Sequence, residues 1–326
     1  MKKASLQKVV QEIRRNNKFL ITTHTSPEGD AIGSEIAFSR LLKKLRKRVM
    51  IVNQDPVPVE YDFFCQKEGI SLLDKKSKSY DFDCMAVLDC SDLARAGEVS
   101  NVNYLSKPVI NIDHHISNTN FGKANLVDPG SSCTCELIYC LYKEMSVEID
   151  KISAMALYVG IMTDTGSFRY SNTSAFTHKA VADLMRFDID VRSVYRNIYE
   201  NIPFEDLRVF VKVLSGINIS PDGKIAWAEL PRRIIEHKII SFDLSDHILS
   251  FIRMIKGVQV ALLFRENFGN KKEIRVNLRS NGKVDVNKIA SLFKGGGHKT
   301  ASGCTISGSL QKVRKKVVLA VVNNLK

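Results

Sequence analysis

The sequence predicts an α/β protein, with a parallel-sheet N-terminal domain followed by a smaller mixed α/β C-terminal domain. Short apolar runs alternate with helical patterns through the first half of the chain. These runs are rich in β-branched residues and lack polar alternation, which is typical of parallel strands covered on both faces. A length of 326 residues also fits two domains of common size better than one.

Four strands are predicted in the first half, at Phe19–Thr23, Val49–Val52, Met85–Leu88 and Val109–Ile112. A helix between the first two carries apolar residues on one side, from Ile32 to Leu45. Functional residues of parallel sheets gather at the carboxyl ends of the strands. We therefore expect the site among the polar residues that follow these four runs.

A mostly polar helical stretch begins near Phe187 and predicts a connector. The expected division is residues 1–186 for the first domain, 187–220 for a helical linker and 221–326 for the second domain.

The second domain is predicted to contain three strands and two helices. The strands are expected at Lys224–Leu230, Val258–Phe264 and Glu273–Leu278, with a hairpin-type turn at Asn267–Asn270. One helix is expected from Asp285, and a last one carries Leu310, Val313, Val317 and Val321 on one face.

Composition indicates a soluble, cytoplasmic protein that does not enter membranes, because no apolar run approaches the length that crosses a bilayer. The formal net charge of +13 favours polyanionic partners, although solubility alone explains such an excess equally well. The seven cysteines have scattered spacing without a C-x-x-C unit. Reduced, partly buried thiols are therefore expected rather than a structural zinc site, and Cys133 and Cys135 are not expected to be ligands.

Four short segments combine histidines and carboxylates: His24–Ser34, Leu88–Asp92, Ile112–His115 and Gly160–Gly166. Taken singly, each has an ordinary structural explanation, such as helix capping by an aspartate. Together they bring imidazoles and carboxylates to one edge of the sheet, which capping does not explain. Several crowded carboxylates repel one another unless cations neutralise them, and mixed nitrogen and oxygen ligands suit manganese or a similar divalent ion. Two such ions can stabilise both ends of an in-line phosphoryl displacement.

The pattern H-x-x-P-x-G-D-A-x-G-S from His24, the strand-terminal Asp89, the D-H-H at Asp113 and the T-D-T-G at Thr163 resemble the DHH phosphoesterases. Lys294–His298, followed by Ala301–Gly303, resembles the glycine-rich signature of their associated DHHA1 domain. The resemblance spans nearly the whole chain in the right order, and its layout is most similar to the bifunctional oligoribonuclease and pAp phosphatase (nanoRNase A type) subfamily.

The resemblance implies two Mn²⁺ ions per subunit, with Fe²⁺, Co²⁺ or Mg²⁺ as alternatives. One ion is expected on His24 and Glu28 and the other on Asp30, His114 and Asp164, with Asp89 bridging both. His115 is expected to position the phosphate or assist proton transfer, and Asp113 to orient the neighbouring imidazoles. Position 28 departs from the family pattern, which has aspartate there. The longer carboxylate of Glu28 is expected to remain a ligand.

In the second domain, the resemblance implies that Arg279, Ser280, Gly296, Gly297 and His298 bind the substrate. Consecutive glycines can turn backbone N–H groups inward to form an anion-binding nest. An arginine can also hold a phosphate with two parallel hydrogen bonds.

The implied function is manganese-dependent hydrolysis of short oligoribonucleotides such as pApA to mononucleotides, and of 3′,5′-bisphosphoadenosine to AMP. Alternatives are a cyclic di-AMP phosphodiesterase, a longer-range exonuclease of the RecJ type and, in another class, a nucleotide-binding regulator with impaired catalysis. Short oligonucleotides or small nucleotides are the expected partners, and a homodimer is a further expectation.

Overall fold

The structure is a computed structural model that describes residues 3–65, 67–74, 80–103, 106–234, 244–266 and 273–325. It divides into two compact units, Met1–Asn201 and Ile202–Lys326. The region predicted as a linker is shared between these units, because one of its helices lies in each. No described helix is both long and apolar enough to cross a bilayer.

The first unit combines α-helices with short strands. Its helices are α1 (Lys3–Arg15), α2 (Gly29–Lys44), α3 (Asp62–Cys65), α4 (Thr134–Glu144), α5 (Lys151–Asp164), α6 (Ala175–Leu184) and α7 (Val191–Tyr199). Its strands are β1 (Lys18–Thr22), β2 (Arg48–Asn53), β3 (Ile70–Leu72), β4 (Cys84–Leu88), β5 (Val109–Asp113) and β6 (Ala124–Val127). A 3₁₀ segment, Leu93–Asn103, follows β4 and is kinked at Gly97.

The strands of the first unit form one sheet in the order β3-β2-β1-β4-β5-β6. Every described pairing in it is parallel, so the predicted parallel sheet is confirmed. The short outer strands β3 and β6 were not predicted. Successive residues of β1 face opposite sides: Phe19 and Ile21 pack with α1 and α2, whereas Leu20 packs with the residues around Leu93–Asn103. Both faces of the sheet are therefore buried, as the continuous apolar runs indicate.

Helices α2, α4 and α5 pack unusually closely because two glycines lie at their contacts. A Cβ on Gly33 would lie 2.4 Å from the backbone oxygen of Ala156. A Cβ on Gly160 would lie 2.3 Å from Cys135 Sγ and 2.8 Å from Asp30 Oδ1. None of these three distances leaves room for a side chain unless the neighbouring atoms move. The close contact matters for function because α2 carries Asp30 and α5 ends at Asp164.

The second unit is mixed α/β, as predicted. Its helices are α8 (Phe204–Leu214), α9 (Ser245–Arg253), α10 (Val286–Ser291) and α11 (Leu310–Asn324). Its strands are β7 (Asn218–Ile219), β8 (Ile225–Leu230), β9 (Val260–Glu266), β10 (Glu273–Ser280), β11 (Gly296–Gly297) and β12 (Ala301–Ser307). They form one sheet in the order β11-β12-β10-β9-β8-β7, in which β8 and β9 are parallel and the other described pairs antiparallel.

The predicted helices of the second unit are confirmed. Asp285 caps α10 by accepting hydrogen bonds from the backbone of Asn287 and Lys288. Val313, Val317 and Val321 of α11 are buried together against the sheet. The hairpin-type turn predicted at Asn267–Asn270 lies outside the described residues.

All seven cysteines are free thiols, and all but Cys140 are buried. Cys133 caps α4, where its sulfur accepts the Glu136 N–H at 3.4 Å. Cys135 packs between α2 and α5, with its sulfur 3.3 Å from the Ser34 hydroxyl oxygen. Burial raises the pKa of both thiols well above the ordinary value. Cys133 thus caps a helix and Cys135 packs between two helices.

Candidate active site

The carboxyl ends of β1, β4 and β5 bring the predicted polar segments to one edge of the first sheet. Thr22 is paired with Val87, and Leu88 is paired with Ile112. His24, Asp89 and Asp113–His115 therefore leave the sheet side by side, and all of them are buried. The three strand-end segments thus meet as predicted from the parallel arrangement.

Three of these side chains converge closely enough to share an ion. Ligand atoms of Asp30, Asp89 and His114 all lie within 4.8 Å of one another. His114 Nε2 is 3.6 Å from Asp89 Oδ1 and 4.0 Å from Asp30 Oδ2. Asp164 lies beside this group, with its Oδ2 3.8 Å from His114 Nε2, and its side chain is 26% exposed. An open side of the cluster therefore exists at Asp164.

Asp30 is fixed by the first turn of α4. Its two carboxylate oxygens accept the backbone N–H groups of Thr134, at 2.7 Å, and Cys135, at 2.9 Å. These groups belong to a helix N-terminus, which favours negative charge. Burial nevertheless raises the pKa of Asp30, and the nearby charge of Asp89 raises it further. A cation at the cluster would relieve both effects.

Asp89 follows β4 in a left-handed backbone conformation, with φ of 55°. Its Oδ1 accepts the Thr134 hydroxyl at 3.0 Å, and its Oδ2 lies 3.5 Å from His24 Nε2. Burial acts to raise the pKa of Asp89, but the His24 contact and the neighbouring imidazoles together hold the pKa well below the ordinary value. Asp89 is therefore the ionised centre of the cluster, between His24 on one side and His114 on the other.

His115 is held by an acidic partner and a basic one. Its Nδ1 lies 2.6 Å from Asp113 Oδ1, and its Nε2 lies 3.2 Å from Arg95 Nη1. Asn118 Nδ2 donates to the other oxygen of Asp113 at 2.6 Å. Because arginine can only donate, the Arg95 contact assigns the acceptor role to Nε2 and places the imidazole proton on Nδ1. Burial acts to lower the pKa of His115, but the Asp113 carboxylate outweighs it and raises the pKa overall.

Glu28 is placed differently from the other predicted ligands. It is exposed at the N-terminus of α2, where its side chain makes no capping hydrogen bond. Neither Glu28 nor His24 belongs to a described group of three ligand atoms within 4.8 Å. His24 still contacts Asp89 through Nε2. The role of Glu28 as a metal ligand stays a prediction.

The predicted substrate residues of the second unit occupy its β10 and β11 region. Arg279 donates to Asp246 Oδ1 at 2.5 Å, and its side chain is 16% exposed. Ser280 is buried, and its hydroxyl donates to the Val284 backbone oxygen at 2.7 Å. The hydroxyl of Ser280 thus serves the turn that follows β10.

The glycine-rich segment forms a short strand, which differs from the expected open nest. Gly296 and Gly297 pair with β12, and a Cβ on Gly297 would lie 2.5 Å from the Ala301 oxygen. The flanking N–H groups are already used, since Gly295 donates to the Ala290 oxygen and His298 to the Ala301 oxygen. Close approach of two backbones therefore explains the glycine at position 297. A role of Gly296, Gly297 and His298 in substrate binding stays a prediction.

Four residues of the site were missed by the sequence analysis: Thr134, Arg95, Asn118 and Asn172. Asn172 Nδ2 donates to Asp164 Oδ2 at 3.2 Å and to the Ser132 oxygen at 2.8 Å, which ties the end of α5 to the start of α4. Each of the four acts through a hydrogen bond to a predicted residue. The only sequence signal of Arg95, Asn118 and Asn172 was that each closely follows a predicted segment, as in the S-D-x-x-R after Asp89, whereas Thr134 had no such signal.

The donor set fits a divalent ion. Buried carboxylates and imidazoles in one group match the ligands that manganese, iron or cobalt accept. Burying Asp30 and Asp89 together is costly unless a cation compensates them. His115 and Asp164 offer further nitrogen and oxygen atoms next to the group.

Two family domains account for most of the chain. Residues 18–161 match the DHH family, N-terminal domain, and residues 222–323 match the DHHA1 domain. With the parallel sheet and the cluster at its edge, these matches define the class: the chain belongs to the DHH family.

Within this family the chain resembles one kind of enzyme in particular. It is 31% identical, over 94% of its length, to the bifunctional oligoribonuclease and PAP phosphatase NrnA of Thermus thermophilus, 89% of which is covered. The crystal structure of an exopolyphosphatase-related protein from Bacteroides fragilis matches with a TM-score of 0.87 at 28% identity, covering 99% of this chain and 96% of that one. RecJ of Thermus thermophilus in complex with Mn²⁺ shares the fold alone, with a TM-score of 0.53 at 13% identity, covering 98% of this chain and 54% of RecJ. The resemblance stated from the motifs is thus confirmed.

Proposed function

We propose that this protein is a metal-dependent hydrolase of short oligoribonucleotides, such as pApA, and of 3′,5′-bisphosphoadenosine. Its family membership makes it a hydrolase that acts on phosphoester bonds. One observation supports the proposal above the others: Asp30, Asp89 and His114 converge within 4.8 Å at the strand ends of a chain that resembles NrnA over 94% of its length. The name of that relative, a bifunctional oligoribonuclease and PAP phosphatase, supports both substrate classes, and pApA is the short oligoribonucleotide expected from the family resemblance.

The cluster would hold two divalent ions, with manganese as the expected metal and iron, cobalt or magnesium as alternatives. His24 and Glu28 would hold one ion, and Asp30, His114 and Asp164 the other, with Asp89 shared between them. Bound there, the ions would neutralise the carboxylates and stabilise the charge that develops on the transferred phosphoryl group. Glu28 would have to turn inward from its exposed position to take part.

The remaining residues of the first unit would orient the phosphate and control a proton. Asp113 fixes the His115 ring through Nδ1, so that Nε2 is presented on the side of Arg95. Nε2 is therefore the atom at which His115 would accept or return a proton. Arg95 would lend a positive charge to a non-bridging phosphate oxygen while it keeps Nε2 in place.

The second unit would bind substrate through Arg279, Ser280, Gly296, Gly297 and His298. The Arg279 guanidinium is pre-oriented by Asp246. A terminal phosphate would compete for the same N–H groups, since guanidinium binds carboxylate and phosphate in the same way.

A substrate panel tests the proposal. The parent protein is incubated with Mn²⁺ and, separately, pApA, 3′,5′-bisphosphoadenosine, cyclic di-AMP and a short RNA, and released mononucleotide or phosphate is measured. We expect turnover of pApA and 3′,5′-bisphosphoadenosine, and none with Asp89→Asn or after chelation. Preferred cleavage of cyclic di-AMP would favour the cyclic dinucleotide alternative. Nucleotide binding without turnover of any substrate would favour the impaired regulator.

A further inference from the structure

Thr134 is the one described residue whose main chain and side chain each hold a different carboxylate of the metal cluster. Its N–H donates to Asp30 Oδ2 at 2.7 Å, and its hydroxyl donates to Asp89 Oδ1 at 3.0 Å. We propose that Thr134 is a positioning residue that sets the distance and orientation between Asp30 and Asp89 and thereby determines metal affinity. The proposal rests on the proposed function, because it requires that the cluster binds metal.

The two oxygens that Thr134 holds are those nearest the third ligand. His114 Nε2 lies 3.6 Å from Asp89 Oδ1 and 4.0 Å from Asp30 Oδ2. Each carboxylate oxygen has two lone-pair directions, so a hydrogen bond from Thr134 leaves one free for a cation. Thr134 therefore orients both carboxylate oxygens and leaves one lone pair on each available to a cation.

Thr134 is well suited to hold two mutually repelling groups in place. Asp30 and Asp89 are both buried, so their repulsion is weakly screened and tends to separate them. A hydrogen bond to each carboxylate from one rigid residue opposes that separation. If the hydroxyl is removed, Asp89 Oδ1 loses this buried donor and can rotate away from His114.

The position of Thr134 is itself rigid for three reasons. It is fully buried, and it is the first residue of α4, whose cap at Cys133 fixes the start of the helix. Its β-branched side chain has few rotamers. Helix α4 packs tightly on α2 and α5 through Cys135, whose sulfur would lie 3.1 Å from a Cβ on Gly33 and 2.3 Å from a Cβ on Gly160. The packing of α2, α4 and α5 thus fixes the position of Thr134, and Thr134 in turn fixes the carboxylates of Asp30 and Asp89.

The test compares Thr134→Val, which keeps shape and backbone N–H but removes the hydroxyl, with Thr134→Ser, which restores it. Thr177→Val is the matched control. Thr177 is also fully buried, and its hydroxyl also donates to a carboxylate, Glu136 Oε2 at 2.8 Å, which belongs to no described metal group. Mn²⁺ affinity of the metal-free proteins is measured by calorimetric titration and by electron paramagnetic resonance of free Mn²⁺.

We expect Thr134→Val to weaken Mn²⁺ binding about ten- to hundredfold, which is the usual effect of losing a partner of a metal ligand. Thr134→Ser should bind within about threefold of the parent, and Thr177→Val should lose thermal stability without losing Mn²⁺ affinity. The Mn²⁺ concentration for half-maximal activity should rise in Thr134→Val, whereas KM at saturating Mn²⁺ should change little. If Thr134→Val does not fold, Thr134→Ala removes the same hydroxyl without adding bulk.

Parent-like Mn²⁺ affinity in Thr134→Val, or equal weakening in Thr134→Val and Thr134→Ser, would overturn the role of Thr134. Failure of the parent protein to bind any of Mn²⁺, Fe²⁺, Co²⁺ and Mg²⁺ would instead overturn the proposed function. The two failures are therefore distinguishable in one titration series.

Discussion

Gly160→Ala should displace Asp30, one of the proposed metal ligands, by adding a methyl group next to its carboxylate. The new methyl group would lie 2.3 Å from Cys135 Sγ and 2.8 Å from Asp30 Oδ1. Ordinary non-bonded contacts are about 3.5 Å, so the carboxylate must move by roughly 0.5–1 Å or the helices must separate. Metal ligands tolerate only about 0.2 Å of displacement. We therefore expect Mn²⁺ affinity to fall about tenfold or more.

Gly33→Ala supplies a matched control, because it crowds the same helices and the three atoms nearest its methyl group belong to Ala156 and Cys135 rather than to Asp30. Its methyl group would lie 2.4 Å from the Ala156 oxygen and 3.1 Å from Cys135 Sγ. Overpacking of this kind costs about 1–3 kcal/mol, which corresponds to a fall in Tm of roughly 2–12 °C for a unit of this size. Both variants should show that fall.

Thermal unfolding with and without Mn²⁺, together with calorimetric Mn²⁺ titration, separates the two effects. Gly160→Ala should lose Mn²⁺ affinity beyond any loss in Gly33→Ala, and its Tm should rise less on addition of metal. Equal Mn²⁺ affinity in both variants would refute the reasoning, because it would show that Asp30 is not held against Gly160 by the packing described above.

Three further predictions concern Asp89, Arg279 and Glu35. Asp89→Asn should lower activity more than a hundredfold. The Tm of the metal-free protein should stay within a few degrees of the parent, because asparagine accepts the left-handed backbone at this position. Activity within a few-fold of the parent would contradict the assignment of Asp89 to the active site. Arg279→Ala should raise KM about ten- to hundredfold with little change in kcat. Asp246→Asn releases the Arg279 guanidinium and should not raise KM. A defect of Arg279→Ala confined to kcat would be inconsistent with substrate binding by Arg279. Glu35 is fully buried with one bond from Asn53, and burial raises the pKa of Glu35 from 4.5 to about 8. The native state then keeps a proton that the unfolded chain releases, so the free energy of unfolding should fall as pH rises from about 4.5 to about 8, by on the order of 3 kcal/mol at pH 7. In urea unfolding, Glu35→Gln should lack this dependence of the unfolding free energy on pH. The same pH dependence in Glu35→Gln and the parent would refute the raised pKa of Glu35.

The strands and the residues that end them could be predicted because both signals are local. A continuous apolar run such as Met85–Leu88 defines a buried parallel strand, and the polar residue after it must lie at the sheet edge. His24, Asp89 and His114 follow from that geometry, whereas Asp164 ends helix α5 and was expected from the T-D-T-G motif. The short strands β3 and β6 gave no comparable signal, because they are only three and four residues long and partly exposed.

Two of the hydrogen-bond partners could not be predicted because they join residues distant in sequence. Thr134 reaches Asp30 across 104 positions, and Asp246 reaches Arg279 across 33. A threonine at the start of a helix looks like an ordinary capping residue until the fold places two carboxylates beside it. The exposed position of Glu28 could not be predicted from the sequence either, because one additional methylene group in a motif does not show which way the side chain points.

The strand order β3-β2-β1-β4-β5-β6 has a consequence for the fate of the chain in a cell. The strand-end ligands His24, Asp89 and His114 follow β1, β4 and β5, which are neighbours in the sheet but far apart along the chain, so a partly folded first unit cannot assemble them. A cation that binds only the native state protects it by about 2.7 kcal/mol when present at a hundred times its dissociation constant. With the manganese binding proposed above, loss of the protein through its unfolded state should slow when manganese is plentiful and speed up when manganese is scarce, so that the amount of the protein would follow the metal supply.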